Sequence, residues 1–200
     1  MKKINIICIL DMSGSMSNII VKAREGFNAF LKEQQQSENE IIFSLLFFDT
    51  RFHMPYNHVN VKKVLPVDEN TYYARGGTSL YDAIGFSINN YLDELGSTQE
   101  RSDKTLFVIL TDGEENSSTI FNLNLIKLMV TEMREEFNCE FIYLGANQDS
   151  NFQADKMGMD KSNAFNYNAT DDGITVAYAN ISKATIFYTN NDVKENLFQQ

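Results

Sequence analysis

Two hundred residues, 43% hydrophobic and 22% charged, suffice for one domain with its own hydrophobic core and fit neither a disordered chain nor a coiled coil. Seventeen basic against 27 acidic residues leave a formal charge of −10. That balance argues against a nucleic-acid binder and against docking on an anionic membrane, since both use clustered Lys and Arg; cations, basic partners or plain solubility suit it better.

Met1-Lys2-Lys3 imitates the basic start of a signal peptide. The apolar run behind it, residues 4–10, is short, carries Asn5, and ends at Asp11 without a small-residue cleavage site. It reads as a strand buried on both faces. No run approaches the roughly 20 apolar residues of a membrane span. Two cysteines, Cys8 and Cys139, sit in apolar runs rather than in a loop-borne disulfide framework, so two buried free thiols are expected. The expectation is a soluble, cytoplasmic protein.

Helical spacing over residues 17–36 puts Ile19, Ile20, Ala23, Phe27, Phe30 and Leu31 on one face. Residues 41–48 form a second buried strand. Residues 52–64 mix polar and apolar and contain Pro55, which suits an edge strand or hairpin. A helix capped by Thr78 or Ser79 runs to about residue 95 and is ended by Gly96. Residues 106–110 are a buried strand. Ile126, Met129, Met133 and Phe137 mark the next helix, and 141–144 the next strand. A short helix over 152–157 stops at Gly158, a short strand covers 164–167, and Thr170 caps a last helix with Asp171 and Asp172 in its first turn. Its inner stripe is Ile174, Ala177, Tyr178, Ile181 and Thr185.

Strand and helix alternate throughout, with no repeat or linker between. The expected architecture is one α/β domain over residues 1–200, with its core at about 3–188. It is a Rossmann-like, doubly wound sheet of about six strands, mostly parallel with one antiparallel edge strand, and helices on both faces. Sites in such sheets lie beyond the carboxyl ends of the strands.

The first strand runs into Asp11-Met12-Ser13-Gly14-Ser15, and the strand at 106–110 into Thr111-Asp112-Gly113-Glu114-Glu115-Asn116. Between them Arg75-Gly76-Gly77-Thr78-Ser79 opens a helix. These are hard oxygen donors in glycine-assisted loops, with no His or Cys, which favours Mg²⁺ or Mn²⁺ over zinc. Alternate side chains of a loop leaving a strand can face one point, so Asp11, Ser13 and Ser15 can converge. With few anionic direct ligands, a cation there would keep much of its charge and attract a carboxylate from outside.

Asp11-x-Ser13-x-Ser15, with the glycine-flanked Thr78 and the strand-end Thr111-Asp112-Gly113, resembles the metal-ion-dependent adhesion site (MIDAS) of von Willebrand factor type A (VWA) domains. The resemblance implies a metal site of Asp11, Ser13, Ser15, Thr78 and Asp112, with the hydroxyls as direct ligands and the aspartates acting through water. It also implies Mg²⁺ as the cofactor, with Mn²⁺ or Ca²⁺ as substitutes, and a protein partner whose Asp or Glu completes the coordination. The expected function is a non-catalytic, metal-dependent protein-binding module, of the stand-alone bacterial kind. A Mg²⁺-dependent phosphate hydrolase and a metal-stabilised structural protein are the alternatives. The hydrolase class usually has a second Asp two residues after the first, where this chain has Ser13. No P-loop, dinucleotide fingerprint or nucleophile elbow is present.

Several neighbours have blander expectations. Asp49 ends a strand and should cap a loop. Glu114, Glu115 and Asn116 read as a solvated acidic turn. His53 and His58 read as surface or packing residues. Tyr72 and Tyr73 divide between loop packing and partner contact.

Overall fold

A computed structural model describes residues 2–98 and 102–198. The chain runs β1 (Lys3–Asp11), α1 (Ile20–Gln35), β2 (Glu40–Phe48), β3 (Phe52–Asn60), α2 (Leu80–Thr98), β4 (Lys104–Thr111), α3 (Leu123–Glu136), β5 (Cys139–Ala146), α4 (Ser150–Lys156), β6 (Ala164–Tyr167) and α5 (Asp171–Asn190). These strands form one sheet in the order β3-β2-β1-β4-β5-β6. Every pairing is parallel except β2 with β3, which makes β3 the antiparallel edge.

The side-chain period of two explains why β1 is apolar throughout. Ile4, Ile6, Cys8 and Leu10 face the core shared with α1 and α5, while Ile7 and Ile9 face the core shared with α2 and α3. Each large apolar side chain withdrawn from water in this way contributes about 1.5–3 kcal/mol. Phe27, Phe30, Phe43, Phe47 and Phe48 are all buried. On the first face α1 and α5 meet closely: a Cβ at Gly26 would fall 2.4 Å from the Tyr178 ring.

The structure adjusts several sequence expectations. The helix at 17–36 begins as a separate 3-10 turn, Gly14–Asn18, before α1. Gly96 does not end α2, which continues to Thr98; a glycine in a helix costs only about 1 kcal/mol relative to alanine. Thr78 and Ser79 do not supply the cap of α2. Its first N–H groups are bound by side chains of a distant loop, Tyr81 N by Glu115 Oε2 (2.9 Å) and Asp82 N by Ser118 Oγ (3.0 Å). The α3 stripe includes Val130, buried between Ile126 and Met133. Thr170 does cap α5, its Oγ1 accepting from Gly173 N at 3.1 Å. Cys8 and Cys139 are buried free thiols on strands separated by β4. Among the described residues, no helix is long and apolar enough to cross a membrane.

Candidate metal centre

The strand order turns around between β1 and β4: β2 and β3 lie to one side, β5 and β6 to the other. At such a point the loops leaving adjacent strands diverge and open a crevice. The loops after β1 and β4 meet there with the segment that enters α2.

All five sequence-nominated residues come together in this crevice. Ser13 Oγ and Ser15 Oγ are 3.0 Å apart. Ser15 Oγ donates to Asp112 Oδ1 at 2.6 Å. Asp11 Oδ1 accepts from Ser13 N at 2.6 Å. A Cβ on Gly113 would sit 3.1 Å from Thr78 Oγ1 and 3.5 Å from Ser15 Oγ, so a side chain there would crowd both hydroxyls. Asp11, Ser13 and Thr78 are buried, Asp112 is half-buried and Ser15 is exposed. The group is therefore open to solvent on the Ser15 side.

Backbone contacts lock the loops together. Gly14 N donates to Gly76 O (3.0 Å) and Arg75 N to Met12 O (2.7 Å). Gly76 has φ +68°, in the left-handed region that favours glycine, and faces the Asp49 side chain. Thr78 is held on both sides: its N–H donates to Asn116 Oδ1 (3.0 Å), and its carbonyl accepts from Asn116 N (3.1 Å) and Ser117 N (3.2 Å).

Neighbouring carboxylates have other work. Asp49 accepts from Arg75 Nε (2.5 Å) and Arg51 N (2.6 Å), so it caps its loop and pairs with a guanidinium. Glu115 is not a solvated turn residue: beyond Tyr81 N it accepts from Ser117 N, Ser118 N and Ser118 Oγ. Asp82 answers from α2 by accepting from Thr119, Ile120 and Phe121 N–H groups. Glu115 and Asp82 thus bind the 115–121 loop to the start of α2, a long-range exchange with no local sequence signal. Glu114 is exposed. His53 stacks on Phe47, and His58 N donates to Ser44 Oγ. Tyr72 is fully buried, whereas Tyr73 is exposed and lies under the Arg75 guanidinium.

Thr111 is a site residue that sequence reasoning missed. Its Oγ1 donates to Asp11 Oδ2 at 2.6 Å across the crevice. Burial pushes the Asp11 carboxyl up to about 6, against the lowering effect of the Thr111 and Ser13 hydrogen bonds; the nearby Asp112 charge adds to the rise. Burial also raises Asp112, against the hydrogen bond from Ser15. Neither carboxylate pairs with a basic side chain among the described residues. Nor do three or more His, Cys, Asp or Glu residues gather there as a metal cage. The donor set is two carboxylates and three hydroxyls, which suits a hard divalent cation, and a positive charge would relieve the strain of burying Asp11 beside Asp112.

The family model for the von Willebrand factor type A domain matches residues 5–183. No curated protein matches the sequence. Similar solved structures include proximal thread matrix protein 1 from the mussel byssus, solved with a zinc-occupied MIDAS motif, at TM-score 0.63 and 14% identity over 92% of this chain and 46% of that one. The pilus adhesin SpaC from Lactobacillus rhamnosus GG, in an open conformation, gives 0.68 and 14%, over 93% of this chain and 30% of that one. The vWF domain of the type V pili tip protein Mfa5 from Porphyromonas gingivalis gives 0.65 and 10%, over 96% and 97%. This chain spans less than half the length of the mussel and Lactobacillus chains.

Proposed function

Because the chain belongs to the von Willebrand factor type A family, whose domains are typically non-catalytic binding modules, we propose that it binds a protein partner through a divalent cation. Ser13, Ser15 and Thr78 hold the cation through hydroxyl oxygens, with Asp11 and Asp112 behind them. Bound Mg²⁺ supplies a centre of positive charge able to take a carboxylate oxygen from an Asp or Glu of the partner as a further ligand. The rest is the chain's own positioning. Thr111 Oγ1 and Ser13 N aim the Asp11 carboxylate, Asn116 and Ser117 hold Thr78, and the exposed Ser15 marks the side from which a partner approaches.

The observation that carries this reading is the convergence of three hydroxyls around two carboxylates that have no basic partner among the described residues. A MIDAS occupied by zinc in the similarly folded mussel protein supports it. With a chain charge of −10, recognition of an acidic partner rests on the local cation and the loop surface rather than on long-range attraction.

The test is calorimetric titration of Mg²⁺ and Mn²⁺ into the protein and into the double variant Asp11→Ala, Ser13→Ala. Binding in the parent and its loss in the variant are expected. Unchanged binding in the variant refutes the site. Pull-downs with Mg²⁺ and with EDTA then test the partner: the same proteins in both arms refute metal-dependent adhesion. Turnover of a generic phosphate ester, abolished by Asp11→Asn, would replace this reading with a Mg²⁺-dependent hydrolase.

A further inference from the structure

Pairing between β1 and β4 ends at Leu10↔Leu110. The next residues, Asp11 and Thr111, are wholly buried, and from there the strands part into the site loops. A phenol grips each of them by its carbonyl. Tyr72 OH donates to Asp11 O at 2.9 Å, and Tyr167 OH donates to Thr111 O at 3.0 Å. The two tyrosines come from unrelated places: Tyr72 from the segment between β3 and α2, Tyr167 from the last position of β6, two strands from β4. Both are buried on the α1/α5 side of the sheet.

Peptide planarity gives these bonds a consequence for the side chains. The Asp11 carbonyl lies in the plane that joins the Asp11 and Met12 Cα atoms, and the Thr111 carbonyl in the plane that joins those of Thr111 and Asp112. A donor that fixes each oxygen fixes a plane attached to an acidic residue of the site. Burial holds both phenols well above their ordinary titration range, so they remain protonated and donate throughout the physiological pH range.

We propose that Tyr72 and Tyr167 are positioning residues of the metal centre, whose hydroxyls set the peptide planes beside Asp11 and Asp112 and thereby the placement of both carboxylates. This rests on the reading of the crevice as a metal site. A purely structural role for a buried phenol has a built-in comparison in this chain. Tyr188 OH donates to Thr105 O at 3.1 Å, the same kind of bond, at the opposite end of β4.

The experiment titrates Mn²⁺ into the full chain and into Y72F, Y167F and Y188F. It follows calorimetry and the electron paramagnetic resonance spectrum of bound Mn²⁺, with melting temperatures recorded in EDTA. Y72F and Y167F should each weaken Mn²⁺ binding up to about tenfold, the scale of one hydrogen bond, and alter the zero-field splitting of the bound ion. Their metal-free melting temperatures should fall no further than that of Y188F, which should keep the parental affinity and spectrum. Parental affinity in both Y72F and Y167F, or an equal loss in Y188F, overturns the proposal while the metal site stands. Absence of Mn²⁺ binding in the parent overturns the metal reading itself, and the positioning role with it. Tyr72 and Tyr167 lie on separate elements, so either variant carries the test if the other does not fold.

Discussion

The two ends of β4 treat charge in opposite ways. At the first end Lys104 is 8% exposed, and its ammonium donates to the carbonyls of Tyr188 (2.9 Å) and Asn191, with Asp192 Oδ1 at 3.4 Å. The cation sits where the carboxyl end of α5 concentrates negative potential, so the charge is answered within the chain. At the other end Asp112 and the neighbouring Asp11 meet hydroxyls and a backbone N–H group, and the charge of Asp112 acts on Asp11. Among the described residues the other buried carboxylates are satisfied within the chain, two by a guanidinium and one by backbone N–H groups. Asp49 has Arg75, Glu140 has Arg134 at 2.9 Å, and Asp82 has three N–H groups. Structural charges in this molecule are closed from inside. The crevice pair has no basic side chain beside it among the described residues, which is the opening the proposed cation would fill.

This contrast can be broken at several points. The largest effect is expected for Asp82→Ala, which leaves three N–H groups of residues 119–121 without their acceptor. It should lower stability by about 3 kcal/mol in urea denaturation, on the scale of 1–3 kcal/mol per unsatisfied buried group after partial rehydration. Asp112→Asn tests the open end. It should weaken Mg²⁺ binding by about 10–100-fold in calorimetry, typical of losing a group that orients metal ligands, yet leave the metal-free melting temperature unchanged or higher. Lys104→Met tests the closed end with the opposite signature. It should lower the unfolding free energy by about 1–2 kcal/mol in urea denaturation, the worth of a charge-assisted cap, with Mg²⁺ affinity intact. Gly76→Ala joins the two readouts on a smaller scale. Its φ of +68° and the Asp49 side chain at 3.2 Å oppose a methyl group, so about 1 kcal/mol of stability should be lost together with some metal affinity.

Much of this molecule is written in local pattern. Runs such as residues 4–10 and 41–48 are apolar on both faces, which only a strand between two helical layers can satisfy, and the alternation of strand and helix then dictates a parallel sheet. That the five residues of the crevice lie near one another follows the expectation drawn from their resemblance to the adhesion-site motif, and from strand ends being where such sheets open; that they hold a metal is the proposal. Thr111, Tyr72 and Tyr167 were not legible. A threonine at the end of a buried strand or a tyrosine in a loop has the same local signature whether it packs or positions. Their roles arise from contacts between residues 100, 61 and 56 positions apart.

The same division explains the smaller corrections. A Gly at position 96 signals a helix end by propensity alone, and the helix overrides it because the cost is small. Thr78 looks like a cap because its type suits one, but the N–H groups of α2 are taken by Glu115 and Ser118 from more than 30 positions away. By itself the sequence determined the layers, the strand at the edge and the chemistry of the oxygen donors, since periodicity and residue type act over a few positions. Only the tertiary structure decided which charges are closed and which stay open, because that depends on what the folded chain brings within 3 Å of each carboxylate.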